Sequence, residues 1–393
     1  MARDTELADS GLSDTAYQDQ ILPHVSRTFA LTIPQLPATL RTAVTSAYLL
    51  CRIADTIEDE PGLPPEETLL YLERFTAVVN GSEAPQPLAQ EVAERLTERT
   101  LPAERELVRH MERVIRVTVT LSQAEQEAIQ RCIRLMCYGM HQFQRTASLR
   151  GLATLGDLDS YCYYVAGVVG EMLTELFCAH SANIERQRAG LRERAVSFAQ
   201  GLQMTNILKD VWEDRSRGAC WLPQEVFARH GVDLMQIAPE SYRPEFGAAM
   251  TELVAVAHAH LRNALEFTLL IPRRERGIRR FCLWAIGLAV LTLRRIAANP
   301  RFTSGSEVKV SRQAVAMTQL FTGCALGSNW MLRKLFARAA SGLPLASLPP
   351  IRVATREPAI PAPATDARPD FARRVVGAPL EAPRRRSDRS SAT

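Results

Sequence analysis

The sequence predicts an all-α, single-domain helical bundle, and three observations carry that prediction. Apolar residues recur at the helical period through most of the chain, while β-branched alternation and Asn-Gly or Asp-Gly hairpin turns are scarce. Clusters of Pro and Gly break the helical stretches at intervals. Two of those stretches end in acidic runs, Asp55-Thr56-Ile57-Glu58-Asp59 and Asp210-Val211-Trp212-Glu213-Asp214, far apart in sequence. Each run places carboxylates four residues apart, hence on one helical face. Two such faces turned toward each other make a carboxylate-lined mouth suited to Mg²⁺ and a phosphate-bearing ligand.

In chain order, residues 1–15 read as a flexible amino-terminal stretch. A helix over 39–58 ends before Pro61-Gly62-Leu63-Pro64-Pro65. Helices are then expected over 66–79, 87–98, 102–121, 123–149, 154–182, 188–216, 239–270, 275–299 and 311–340. From residue 343 the composition turns to Pro, Ala and Arg without periodicity. The domain is therefore expected over 16–342, with 343–393 a disordered tail.

With 46% apolar and 23% charged residues in 393, the balance is that of a globular protein. The net charge of +4 lies wholly in residues 352–393, whose nine arginines face five acids. A neutral folded part gives no reason to expect nucleic-acid binding. The 8 cysteines form no CxxC pair and mostly sit in apolar runs, as buried free thiols in a reducing compartment would. The amino terminus is polar and acidic rather than basic-then-apolar, and the run Phe281–Leu293 is too short to span a bilayer. A cytoplasmic monomer is the expectation, with peripheral membrane contact and the Arg384–Arg386 cluster a candidate for touching anionic lipid.

On the first acidic helix, Tyr48, Arg52, Asp55 and Asp59 share one stripe, while Leu49, Leu50, Ile53 and Ile57 face the core. A polar stripe on an otherwise apolar helix borders a cavity or an ion; a solvated face with an Arg–Asp pair is the blander alternative. On the second, Gln203, Asn206, Asp210 and Asp214 form a stripe, with Glu213 one residue off it and Lys209 on an adjacent line. Carboxylates ~6 Å apart repel by roughly 2–3 kcal/mol per pair at an effective dielectric of about 20. A divalent ion is the natural counter-charge, and oxygen-only ligands favour Mg²⁺, with Mn²⁺ as a substitute, over Zn²⁺. Salt bridges to Arg52 and Lys209 are the alternative. Between the two helices, Tyr161-Cys162-Tyr163-Tyr164-Val165-Ala166-Gly167-Val168-Val169-Gly170 mixes phenols and small residues. Gly167 and Gly170 permit close approach of a ligand or a helix. Val165, Val169 and Leu173 would form an apolar wall, by ordinary packing or along a hydrocarbon tunnel.

These blocks resemble the squalene/phytoene synthase family of head-to-head prenyl transferases. Ser26-Arg27-Thr28-Phe29, the Tyr48–Asp59 and Tyr161–Gly170 blocks, and Gln203 to Asp214 match its motifs in order and spacing, over about residues 20–340. Trp221-Leu222-Pro223-Gln224-Glu225-Val226 and Phe281-Cys282 resemble the squalene-forming branch. Two departures fall in the region tied to the nicotinamide cofactor. Val308-Lys309-Val310-Ser311-Arg312 has its Arg displaced by one, and Ala285-Ile286 stand where the branch usually has Pro-Gln.

The resemblance implies an isoprenoid-synthase-type bundle around a central cavity that takes two molecules of farnesyl diphosphate. It implies Mg²⁺ on Asp55, Glu58, Asp59, Asn206, Asp210 and Asp214, and Arg27, Arg52 and Lys209 on the diphosphate. Tyr161 would handle the proton, near Tyr48 and Arg52, and Phe281 would face carbocations. Gln203, Phe29, Val165, Val169, Leu173 and Leu202 would line the substrate. NADPH would meet Ser26, Asn206, Lys309 and Arg312 without a Gly-rich fingerprint. Alternatives are a phytoene- or dehydrosqualene-type reaction, a reaction stopping at presqualene diphosphate, and a non-catalytic interaction protein on the same fold.

Overall fold

A computed structural model describes residues 11–348 of the chain. Helix α1 (Asp14–Val25), capped by the Ser13 side chain, precedes a short α2 (Phe29–Thr32) and the long α3 (Ala38–Glu58). The Pro-Gly segment ends α3. Helix α4 (Pro65–Asn80) then starts on Pro at its first position, with Glu66 and Glu67 in its first turn. It stops at Gly81, whose φ of 83° suits only glycine well. Helix α5 (Pro85–Arg95) follows. The helix expected over 102–121 is two, α6 (Pro102–Arg109) and α7 (Met111–Thr118), broken at His110. Helix α8 (Gln123–Gln144) opens on a Ser122–Glu125 capping box and ends five residues earlier than the periodicity suggests.

The stretch expected as one helix over 154–182 is α9 (Leu155–Cys162), a π-helical turn over Tyr163–Gly167, and α10 (Val168–His180). After the short α11 (Ala182–Glu185), the expected 188–216 helix is α12 (Arg188–Lys209) and α13 (Val211–Ser216), jointed at Asp210. Helices α14 (Gln224–Arg229), α15 (Pro244–Leu270) and α16 (Arg276–Ala298) follow. The last expected helix divides into α17 (Arg312–Ala325) and α18 (Asn329–Ala339). Among the described residues there is no strand, only an isolated bridge between Leu152 and Pro223.

One continuous apolar core runs through α3, α8, α10, α12, α15 and α16, and α12 packs most extensively on α15. A Cβ on Gly170 would lie 2.1 Å from the Ala195 carbonyl oxygen, so α10 and α12 meet backbone to backbone. Seven of the cysteines are buried and free, as expected; Cys324 is exposed. Arg279 is fully buried, donating to Ile271 O (2.7 Å) and Asn329 Oδ1 (2.8 Å), which ties the start of α16 to that of α18. The segments Leu155–His180 and Arg276–Ala298 are long and apolar enough to cross a bilayer by composition, but 56% of each apolar window is buried in the bundle. Pro344 O meets His258 Nδ1 at 2.7 Å and Ala346 N donates to Ala255 O, so the chain lies on α15 up to the end of the described residues. Most of the expected flexible 1–15 and tail 343–393 lies outside those residues.

Candidate active site

The polar stripe on α3 is assembled by its own side chains. Tyr48 donates its hydroxyl to Val25 O (3.0 Å) and accepts from Arg52 Nη2 (3.2 Å). Arg52 Nη1 stands 3.7 Å from Asp55 Oδ2 and 3.8 Å from Glu104 Oε1. Burial alone would lower the Arg52 pKa, but Asp55, Tyr48 and Glu104 outweigh it and keep the guanidinium charged. One turn on, Glu58 is buried, and its Oε1 has no hydrogen-bond partner.

The second stripe survives the joint at Asp210. Asp210 N–H donates to Asn206 O (2.8 Å) and Asp214 N–H to Asp210 O (2.9 Å), so the four-residue rise continues from α12 into α13. Lys209 Nζ is 3.0 Å from Asp210 Oδ2. Arg217 then shows that the two acidic segments face each other. Its Nη1 lies 3.4 Å from Asp59 Oδ2 and its Nη2 3.2 Å from Asp214 Oδ1.

Taken from water and set beside one another, these carboxylates resist ionisation. Burial first, then Asp59 and Glu104, push Asp55 to about 6 against the pull of Arg52. Burial lifts Asp214 to about 7, opposed by Arg217 and reinforced by Asp210 and Asp59. Glu58 is pushed well up by burial, Asp59 and Asp55, and Asp210 is raised mainly by burial. Among the described residues no three His, Cys, Asp or Glu side chains converge on one ion position. That arrangement still fits Mg²⁺, which keeps waters and binds through one or two carboxylates plus phosphate oxygens. The donors are all oxygens, the acids raise each other's pKa, and Glu58 Oε1 is a buried acceptor without a donor.

Tyr161 stands beside this mouth. It is buried and stacks on Trp221 (centroids 4.1 Å apart, 9° between planes), with Phe143 edge-on at 5.3 Å. Burial, then Glu58, and further Asp214 and Asp59, hold its phenol protonated. The neighbours that raise it come from both acidic segments. Trp221 is positioned by the pairing of Leu152 N with Leu222 O (3.0 Å). Phe29, Val165, Val169 and Leu202 pack on the core yet stay partly exposed, whereas Leu173 is buried. The π-helical turn carries Val165, shifting its register from that of a regular helix. Gln203 is half-buried and Asn206 exposed on the same stripe.

The remaining expected residues are less tightly gathered. Arg27 is exposed in the turn between α1 and α2, and the Ser26 hydroxyl accepts from Phe29 N–H (3.0 Å). Phe281 is buried, 6.3 Å from Phe29 and 6.2 Å from Phe177, with Phe29 between it and Tyr48. Lys309 and Arg312 are exposed, Arg312 at the first position of α17.

Three residues of the mouth were missed by sequence reasoning. Glu104 comes from the first turn of α6 with no motif to mark it. Arg217 had only its three-residue spacing from Asp214 as a signal. Gly305 belongs to a loop that covers the second stripe. Its N–H donates to Glu213 Oε1 (2.9 Å), and a Cβ there would stand 3.0 Å from both Asp210 Oδ1 and Lys209 O. Trp212 Nε1 donates to Phe302 O (2.8 Å), pinning the same loop.

An all-helical bundle in which Arg217 links two acidic segments defines a recognisable class. The chain matches the squalene/phytoene synthase family over residues 22–314 and belongs to it. It is 29% identical over 310 residues to a squalene synthase of Gibberella zeae, covering 76% of this chain and 63% of that one. To squalene synthase 1 of Arabidopsis thaliana it is 28% identical over 278 residues, covering 70% and 63%. The chain thus spans somewhat under two thirds of the length of these two relatives. A solved complex of TcSQS with the ligand BPH1237 superposes with a TM-score of 0.69 at 25% identity, over 92% of this chain and 96% of that one. A dehydrosqualene synthase structure shares the fold, with a TM-score of 0.58 at 22% identity over 80% and 97%.

Proposed function

We propose that this chain is a squalene synthase, joining two farnesyl diphosphates head to head into presqualene diphosphate and reducing that to squalene with NADPH. The observation that carries the reading is Arg217 spanning Asp59 and Asp214, which brings the ends of both acidic stripes together.

In this reading Asp55, Glu58 and Asp59 on one side, and Asn206, Asp210 and Asp214 on the other, would hold Mg²⁺, whose positive charge would offset the negative charge of the leaving diphosphate. Arg52 and Lys209, already charged against Asp55 and Asp210, and the uncommitted Arg27 add donors to that anion. As the allylic C–O bond breaks, the double bond of the second substrate attacks the cationic carbon, and a proton leaves. Tyr161, kept protonated, passes that proton toward the departing diphosphate rather than ionising itself. Tyr48 orients Arg52. Phe29, Val165, Val169 and Leu202 exclude water that would trap the cation as an alcohol, while the ring of Phe281 stabilises positive charge without offering a nucleophile.

In the second half-reaction the C–O bond of presqualene diphosphate would break, diphosphate would leave, and the resulting cyclopropylcarbinyl cation would rearrange and be quenched by a hydride, the chemistry that NADPH would supply when bound. Lys309 and Arg312 are its proposed anchors, with Ser26 and Asn206 nearer the reacting carbon. Both cations are exposed, and they follow Gly305, which abuts Asp210, so the segment bearing them leaves directly from the mouth. The test is product analysis with farnesyl diphosphate and Mg²⁺, with and without NADPH. Squalene formed only with NADPH, with presqualene diphosphate accumulating without it, is expected. Dehydrosqualene, or a product indifferent to NADPH, would show that the displaced Arg312 and the Ala285-Ile286 departure removed the reductive step.

A further inference from the structure

Arg52 is the cation of the first acidic stripe, and two carboxylates share it. Its Nη1 stands 3.7 Å from Asp55 Oδ2 and 3.8 Å from Glu104 Oε1, nearly equal separations that both exceed a hydrogen bond. Nη2 donates to the Tyr48 hydroxyl (3.2 Å), while Nε is buried without a partner. The guanidinium is therefore held by charge from two sides rather than by a short contact with one acid. Asp55 belongs to the stripe; Glu104 comes to it from a different helix.

The segment that delivers Glu104 is fastened at both ends. Glu60, just past α3 and 3% exposed, accepts from Gly62 N–H (2.8 Å), Thr97 N–H (2.9 Å) and the Thr100 hydroxyl (2.6 Å). Arg105 donates to Leu96 O (2.9 Å) and Thr97 O (2.6 Å) from α6. The loop 96–101 is thus tied to the end of the helix that bears Arg52. Helix α6 leaves that loop at Pro102, whose ring pre-sets the first turn, and Glu104 N–H donates to Leu101 O (3.0 Å) within it. A first-turn glutamate also suits the helix dipole. That role needs no partner on α3, and it leaves a side chain only 19% exposed unexplained.

The charges show what Glu104 does. A cation on Asp55 would take that carboxylate's charge away from Arg52, and Glu104 would remain as the counter-charge. With Glu104 removed, Arg52 has Asp55 as its nearest acid and closes onto it as a hydrogen-bonded pair. Such a pair competes with a metal ion for Asp55 and with an anion for Arg52.

We propose that Glu104 is a positioning residue: it holds Arg52 off Asp55, keeping the carboxylate open to Mg²⁺ and the guanidinium open to the leaving diphosphate. The inference rests on the proposed reading of this site as one for a prenyl diphosphate.

The test is isothermal titration calorimetry of the full chain with inorganic diphosphate at a series of Mg²⁺ concentrations, which reads the site without turnover. Glu104→Gln should raise the Mg²⁺ concentration for half-maximal diphosphate binding about three- to tenfold, with helical circular dichroism unchanged. Glu104→Asp, which keeps the charge on a shorter stem, should recover part of that loss. In an Arg52→Gln background, Glu104→Gln should shift it by less than about twofold, because the residue it acts through is gone. An unchanged Mg²⁺ dependence in Glu104→Gln overturns the proposal and leaves the proposed function standing. So does an equal loss in the Arg52→Gln background, which would make Glu104 a charge acting directly on the metal. A wild-type chain that binds no diphosphate at any Mg²⁺ concentration would remove the proposed site and this inference with it.

Discussion

Arg217 stands at the end of the second acidic helix, half-exposed, and touches the last acid of the first. Its role as a bridge between Asp59 and Asp214 makes it separable from the acids themselves. We expect Asp55→Ala and Asp210→Ala to abolish turnover with helical circular dichroism unchanged; normal turnover in either would remove the metal-site reading. Arg217→Gln should instead retain turnover at a rate lower by about 10- to 100-fold, since it removes one charge-assisted contact rather than an ion. Stopped-time assays of diphosphate release would separate the two behaviours. Tyr161→Phe leaves the Trp221 stack intact but removes the hydroxyl, so condensation should fail without loss of stability. Unchanged formation of the cyclopropyl intermediate would exclude that hydroxyl from the proton transfer.

At the scale of elements, the α10–α12 contact and the loop around Gly305 set how wide the mouth stands. Gly170→Val places side-chain atoms where the Ala195 carbonyl already lies, and should cost about 1–3 kcal/mol or more in denaturant unfolding. Gly305→Ala meets Asp210 and Lys209 more gently, so it should leave the melting temperature nearly unchanged while loosening the loop. Faster hydrogen exchange over residues 303–308, with a raised KM for the diphosphate substrate, is the expected signature. The helix periodicity located α3, α12 and α16 because their apolar stripes are long. It ran through the breaks at His110, Tyr163 and Asp210 because a break without Pro or Gly leaves the periodicity intact. Helix α1, with its interior Pro23, was overlooked for the converse reason.

For the whole molecule, the carboxylates of the mouth and a buried histidine respond to pH in opposite senses. Asp55 and Asp214, at about 6 and about 7, lie above their ordinary value of 3.8. The folded state therefore holds these protons more tightly than the unfolded chain, and the cation-free protein loses stability as pH rises from about 4 through 7. Mg²⁺ relieves that loss, so it should raise the melting temperature more at about pH 8 than at about pH 5. An equal shift at both would argue against ion binding by these acids. His260, buried against Ser197 Oγ at 2.8 Å, is lowered from 6.5 to about 4 by burial. The unfolded chain takes up that proton first, so stability falls as pH drops from 6.5 toward 4, by about 3 kcal/mol at most. His260→Asn should flatten that limb in a urea titration.

By itself the sequence determined the all-helical class, the two acidic stripes and the phenol-and-glycine block between them. Each is a short-range pattern, written in the spacing of residues within one or two helical turns. It also supported the family, since several such patterns occur in order. Only the tertiary structure decided that Arg217 joins the two stripes and that Glu104 and Gly305 stand beside them. Those facts depend on which helices become neighbours, and the packing that chooses neighbours is cooperative over the whole core.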